Sequence, residues 1–194
     1  MKAPSLCLIA LLAAPTCLWA QAVTKTTPPT PGPPRPDAAT RIPTGFHGIV
    51  GHVYVGEAAP GFELTSADGK RIKLSSFIGE RVMLCFADRR DMLTQYRGTA
   101  DSLRAIGVRL VGIARASPRS LRSLAERDSL PFILLSDPTG EIASIYGSYE
   151  FATSSIRPGY VLVGRTSIVR MALLGQRLPP EDLLRIARYA LAGL

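Results

Sequence analysis

One thiol, two carboxylates and a set of arginines are the groups in this sequence whose types and spacing could do chemistry. Cys85 lies in Val82-Met83-Leu84-Cys85-Phe86-Ala87. As a thiolate it would attack peroxides or disulfides, whereas in apolar surroundings its pKa rises and it becomes an inert core residue. The unbroken apolar run around it points to the inert role. Asp88 and Asp91 follow at once. They could act as a proton-transfer pair, or they are a helix cap and a solvated loop residue, both being residue types that such places favour. Arg89, Arg90 and Arg97 interleave with them, and Arg115 and Arg157 come later. Guanidiniums brought together hold oxyanions through forked donors and a charge that is never titrated away. Dispersed, they are ordinary solvated charge in a chain with 19 Arg and 4 Lys. His47 and His52 flank Gly48-Ile49-Val50-Gly51 without a cysteine or carboxylate cluster, a poor metal pattern. Ser154-Ser155 has no base beside it in sequence, so neither hydroxyl reads as a nucleophile.

The elements that must position these groups are bounded by length and composition. A chain of 194 residues is one ordinary domain, roughly 100–150 residues, plus an appendage. With 46% hydrophobic and 20% charged residues it can bury a core, which excludes wholesale disorder. Three cysteines are too few for a disulfide scaffold. The net charge of +8 suits an anionic partner. No nucleic-acid motif or aromatic interleaving accompanies it, so nucleic acid is not the expected partner. Met1-Lys2 followed by Leu6-Cys7-Leu8-Ile9-Ala10-Leu11-Leu12 has the order of a secretory signal, and Ala20-Gln21-Ala22 supplies a small-x-small cleavage site. Residues 1–22 are therefore expected to be a signal peptide, which places the protein outside the cell or in the periplasm. Residues 23–45, rich in Pro and Thr, favour extended polyproline geometry and read as a tether. The folded domain is expected over 46–194, with no membrane span in the mature chain and with Cys85 as its single cysteine.

Along that domain, Phe62 to Leu74 alternates on both sides of Asp68-Gly69 and predicts a hairpin. The run Val82–Ala87 predicts a strand buried on both faces. Met92, Tyr96, Ala100, Leu103 and Ile106 recur at helical spacing and stop at Gly107. Val108–Ile113 is the next strand, and Ser117-Pro118 opens a helix through about Arg127. Phe132–Leu135 is a strand, and Asp137-Pro138 repeats the cap-then-proline signal for a short helix to Tyr146. A second hairpin, Tyr160–Val163 with Ile168–Leu173, precedes a final helix from Pro179. Parallel crossovers ending in an antiparallel pair make a three-layer α/β/α sandwich on a mixed central sheet, with an N-terminal β-hairpin.

This order of elements, together with Val55-Gly56-Glu57-Ala58-Ala59-Pro60-Gly61-Phe62, Leu74-Ser75-Ser76-Phe77, Gly107 to Ile113 and Leu130 to Gly140, resembles the alkyl hydroperoxide reductase/thiol-specific antioxidant family, the peroxiredoxins of the thioredoxin fold. The resemblance runs from about Val55 to Leu174 and implies antioxidant and thiol oxidoreductase activity, with no cofactor. It also implies a nucleophilic cysteine in the loop and first helical turn after the strand ending at Phe86. Here that segment, Ala87 to Arg97, has none and is shorter than the family's. Asp91-Met92-Leu93-Thr94 stands where a two-cysteine motif would fall, and Arg157-Pro158 where the family carries an arginine or a cis-proline. The resemblance thus implies a face made of Asp88, Arg89, Arg90, Asp91, Thr94, Arg157 and Pro158, with Arg97 and Arg115 nearby. The expected function is a non-catalytic binding or adaptor module, for a small anion or for a thiol-redox or cytochrome-maturation protein. The alternative is a one-cysteine peroxidase or reductase using Cys85, which requires the strand to end one or two residues early.

Overall fold

The computed structural model describes residues 51–192. The expected signal segment, the tether, His47, Cys7 and Cys17 lie outside the described residues. β1 (Glu63–Ser66) and β2 (Arg71–Lys73) form the hairpin, with Leu64 opposite Ile72. Gly69 at φ +84° supplies the left-handed position that this turn requires and that a side chain rarely adopts. A 3-10 turn, Leu74–Phe77, leads to β3 (Arg81–Ala87), in which every residue after Arg81 is buried.

β3 pairs in parallel with β4 (Val108–Ala114), which pairs in parallel with β5 (Ile133–Ser136). On its other side β3 runs antiparallel to β8 (Gly159–Val163), and β8 to β9 (Val169–Leu174). The sheet order is β2-β1-β5-β4-β3-β8-β9. Alternation divides β3 between two cores. Met83, Cys85 and Ala87 pack with residues of α1 (Arg97–Ala105), α2 (Pro118–Arg127) and α4 (Pro180–Ala192). Val82, Leu84 and Phe86 pack with Phe62, Phe77 and α3 (Glu141–Ile145). Helices on both faces of a mixed sheet are the three layers the sequence implies. Each large side chain buried in them contributes about 1.5–3 kcal/mol.

Three details depart from the sequence pattern. The helix expected from Met92 begins instead as a 3-10 turn, Arg90–Tyr96, and becomes α-helical at Arg97. Leu93 explains the tighter entry: it packs onto β4 over Gly112, where a Cβ would stand 2.9 Å from its Cδ2. The short helix expected from Asp137-Pro138 starts later, at Glu141, because Asp137 to Gly140 closes as a turn and the Asp137 carboxylate reaches forward to the Ala143 N–H at 2.9 Å. Between α3 and β8 a two-residue ladder, β6 (Tyr149–Glu150) with β7 (Ser155–Ile156), forms without any alternation long enough to announce it.

At the sheet's edge, Gly56 N–H donates to Val169 O and Val169 N–H to Glu57 O, each at 2.8 Å, and Ala59 N–H reaches Ser167 O. The segment before β1 thereby covers the start of β9 and the turn that leads into it. Among the described residues no helix is long and apolar enough to cross a membrane.

Candidate functional site

The C-terminal ends of β3 and β4 carry the residues singled out by type and spacing. Cys85 is 0% exposed and lies in register with Gly112 on one side and Tyr160 on the other. β3 continues two residues beyond it, to Ala87. Burial pushes the thiol far above its ordinary range, and the nearby Asp88 charge adds to the shift. At this position sulfur is a core atom with almost no thiolate to offer.

Two phenols cover it. Tyr96, at the junction of the 3-10 turn and α1, and Tyr160 on β8 are both 0% exposed, with rings edge to face at 6.0 Å between centroids. Their hydroxyl oxygens are 2.6 Å apart. Tyr96 O–H donates to Leu178 O at 2.7 Å, and Leu178 N–H donates to Tyr160 Oη at 2.9 Å. With Tyr160 O–H donating to Tyr96 Oη, the three bonds form a closed ring and every buried polar atom in it is used. Burial raises both phenol pKa values. The neutral hydroxyls are thus structural. In sequence both tyrosines look like apolar core positions, because their shared partner, Leu178, is far along the chain.

Outside this seal the polar residues meet. Asp88 accepts from its neighbour's Arg89 N–H at 2.9 Å and pairs with Arg177. Arg89 holds Asp91 with both prongs, at 3.2 and 2.9 Å, which keeps that carboxyl below the usual carboxylate range. Thr94 Oγ1 donates to Asp91 O at 2.7 Å. The two carboxylates are each engaged by an arginine and not by one another, so the proton-transfer pair is not assembled.

Arg89, Arg90, Arg115 and Arg127 line a cleft of about 530 Å3. Asp88 and Asp91, each already held by an arginine, and Ser120 and Ser123 of α2 complete its wall, and Leu124 is the one apolar residue there among the described residues. Arg127 is neutralised by Asp128 at 2.8 Å. Arg90 is fixed by the Ser120 hydroxyl, and Arg115 by the carbonyls of Pro138, at 3.1 Å, and Ser154. Neutral acceptors orient these two guanidiniums without cancelling their charge. A guanidinium has five N–H donors, so several on each remain for a ligand.

Two expected members are elsewhere. Arg157 packs its guanidinium against Gly175, whose absent Cβ would stand 3.4 Å from Arg157 Cζ, while Gly175 N–H donates to Pro158 O at 2.7 Å. That tie between the start of β8 and the end of β9 keeps Arg157 and Pro158 out of the cleft. Arg97 does not line it either; its charge bears on Asp128. Sequence reading missed Ser120, Ser123, Arg127 and Arg177. The first three recur at i, i+3 and i+7 on the helix that Ser117-Pro118 announces, a stripe that could have been read.

The mixed seven-stranded sheet with helices on both faces defines an α/β protein of the thioredoxin-like fold. The sequence profile of the AhpC/TSA family matches residues 55–172, and the chain belongs to that family. It is 32% identical over 143 residues to the chloroplastic peroxiredoxin Q of Populus jackii, covering 70% of this chain and 67% of that protein. To the chloroplastic peroxiredoxin Q of Oryza sativa subsp. japonica it is 33% identical over 150 residues, covering 73% and 67%. In solved structures, the peroxidoxin BcpB of Mycobacterium tuberculosis superposes with a TM-score of 0.65 at 20% identity, covering 74% of this chain and 99% of that one, a likeness of fold. Antioxidant thiol peroxidases are thus its family.

Proposed function

We propose that this protein is an exported member of the peroxiredoxin family that does not turn over peroxide and instead binds an oxyanion in the arginine cleft at the ends of β3 and β4. The observation that carries the reading is the placement of Cys85, 0% exposed and two residues inside the end of β3, while Ala87 to Arg97 contains no cysteine. Peroxide reduction needs a thiolate to attack the O–O bond, becoming a sulfenic acid as the second oxygen leaves as water. No other group in the cleft performs that step.

The cleft's lining favours a small hydrophilic ligand such as phosphate, or an acidic side chain presented by a partner. Arg90 and Arg115 are held by neutral acceptors, the Ser120 hydroxyl accepts from Arg90 and can still donate, Asp88 and Asp91 are each countered by an arginine, and there is little apolar wall to reward an apolar body. As an adaptor, the protein would present this face to an anionic group on a thiol-redox partner. Export rests on the charged start and apolar run of residues 1–22.

Hydrogen peroxide consumption by the purified protein with a dithiol reductant, followed by intact mass, tests the first half. The expected result is no turnover above the reductant alone and an unmodified thiol. Turnover with one or two oxygens added at Cys85 would make it a one-cysteine peroxidase and overturn the reading. Calorimetric titration with inorganic phosphate tests the second half, with Arg90→Gln/Arg115→Gln expected to weaken binding about tenfold.

A further inference from the structure

A second basic hollow lies at the opposite ends of the same strands and has a different wall. It is bounded by the starts of β3, β4 and β5 and encloses about 470 Å3. Its charged residues are Arg81, Arg104, Arg109 and Arg165 with Glu80. Glu80 is consumed by Arg109 in a two-pronged pair at 2.8 and 3.1 Å, above the Phe77 ring. Arg104 is shared between Asp101 and the carbonyl of Pro131. Arg81 and Arg165 have no acidic partner among the described residues. Gly107, at φ +74°, lies beside Arg81: a Cβ there would be in ordinary contact with its guanidinium, at 3.6 Å.

Across β4 from Arg81 and Arg165, the β5 side of the wall is apolar. Pro131, Phe132 and Ile133 line the hollow and are not fully buried. The same three residues also line a smaller hollow of about 270 Å3, with Ala67, Ala125, Leu130 and Leu134 and, at its far end from the guanidiniums, Ser66 and Asp68 at the β1–β2 turn. An uncancelled positive pair at one end of an apolar track is the inverse of an anionic amphiphile.

We propose that this hollow binds a single-headed organic anion with an apolar body, of the medium-chain carboxylate class, its head on Arg81 and Arg165 and its chain along Phe132 and Ile133. The site is independent of the arginine cleft and of whether the protein reduces peroxide. The chain's own N-terminal segment is a poor occupant, since it brings Lys25, Arg35 and Arg41 against Asp37. A hydrophilic oxyanion gains nothing from the apolar track, and a neutral amphiphile gains nothing from the guanidiniums.

The test is calorimetric titration of the whole protein with octanoate below its micelle-forming concentration, beside acetate, octyl glucoside and phosphatidylglycerol vesicles. Octanoate is expected to bind with a negative heat-capacity change, the mark of apolar burial, and acetate and octyl glucoside at least about tenfold more weakly. Arg165→Gln, at an exposed position, is expected to weaken octanoate several-fold, and Arg81→Gln/Arg165→Gln about tenfold or more. Arg90→Gln/Arg115→Gln is expected to leave it unchanged. Equal binding of octanoate and acetate, octanoate binding that survives the loss of both Arg81 and Arg165, or binding to the vesicles alone would each overturn the proposal.

Discussion

The two ends of the parallel strands β3, β4 and β5 carry four arginines apiece in their hollows, yet they treat the charge differently. At the C-terminal ends Arg90 and Arg115 are fastened by a hydroxyl and by carbonyls over a polar wall, with a dry tyrosine ring sealing the core beneath. At the N-terminal ends Arg81 and Arg165 share a hollow with proline, phenylalanine and isoleucine. The number of charges therefore says little about what either end takes. What holds each guanidinium sets how rigidly the charge is presented, and the wall under it sets what body the anion can have.

The comparison breaks first at the tyrosine ring. Tyr96→Ala should cost about 4 kcal/mol in urea unfolding, the usual scale for deleting a buried ring, and should let a maleimide reach Cys85. Arg165→Ala at the other end should stay within about 0.5 kcal/mol. If both changes cost alike, the sealed and open ends are not energetically distinct. Tyr160→Phe is milder, since it deletes one oxygen and leaves Leu178 N–H without its acceptor. A loss of about 2 kcal/mol is expected by the same measurement. A double dissociation sharpens the contrast between the surfaces. Arg90→Gln/Arg115→Gln should lower phosphate affinity about tenfold and spare octanoate, and Arg81→Gln/Arg165→Gln should do the reverse.

The smallest effect is one of pH. Arg89 lowers the native pKa of Asp91, so between the native and unfolded values the unfolded chain binds more protons. The stabilisation is complete above the unfolded carboxylate value of about 3.9 and is lost as pH falls through the native one. Because the pair is exposed, Asp91→Asn should only slightly flatten the acid side of a stability-against-pH curve, and added salt should erase the difference. A steep change there would place Asp91 in a much drier setting than the one described.

Much of the fold could be read from local signals. The Asp68-Gly69 turn, the apolar run of β3, the Ser117-Pro118 helix start and the order of crossovers are near-neighbour patterns, and each became the element it announced. The site was less legible because its decisive contacts are long-range. Leu178 satisfies two tyrosines from elsewhere in the chain, Arg177 reaches Asp88, and Gly175 turns Arg157 away. Residue type showed that arginines were plentiful near the strand ends. Only the folded contacts show that Arg115 is tied by neutral carbonyls while Arg127 is paired with the Asp128 carboxylate. The 3-10 entry to α1 was hidden for a similar reason, since it depends on Leu93 fitting over a glycine of the neighbouring strand.

The covering of the start of β9 by Gly56 to Ala59 bears on self-association. A sheet's outermost strand offers free N–H and C=O groups to any other strand, which is how copies of a protein zip edge to edge. Here Val169 already spends both of its outward groups on Gly56 and Glu57, and Ser167 gives its carbonyl to Ala59. A second copy approaching along the start of β9 and the turn before it would have to strip away three hydrogen bonds that the chain makes with itself before gaining any of its own.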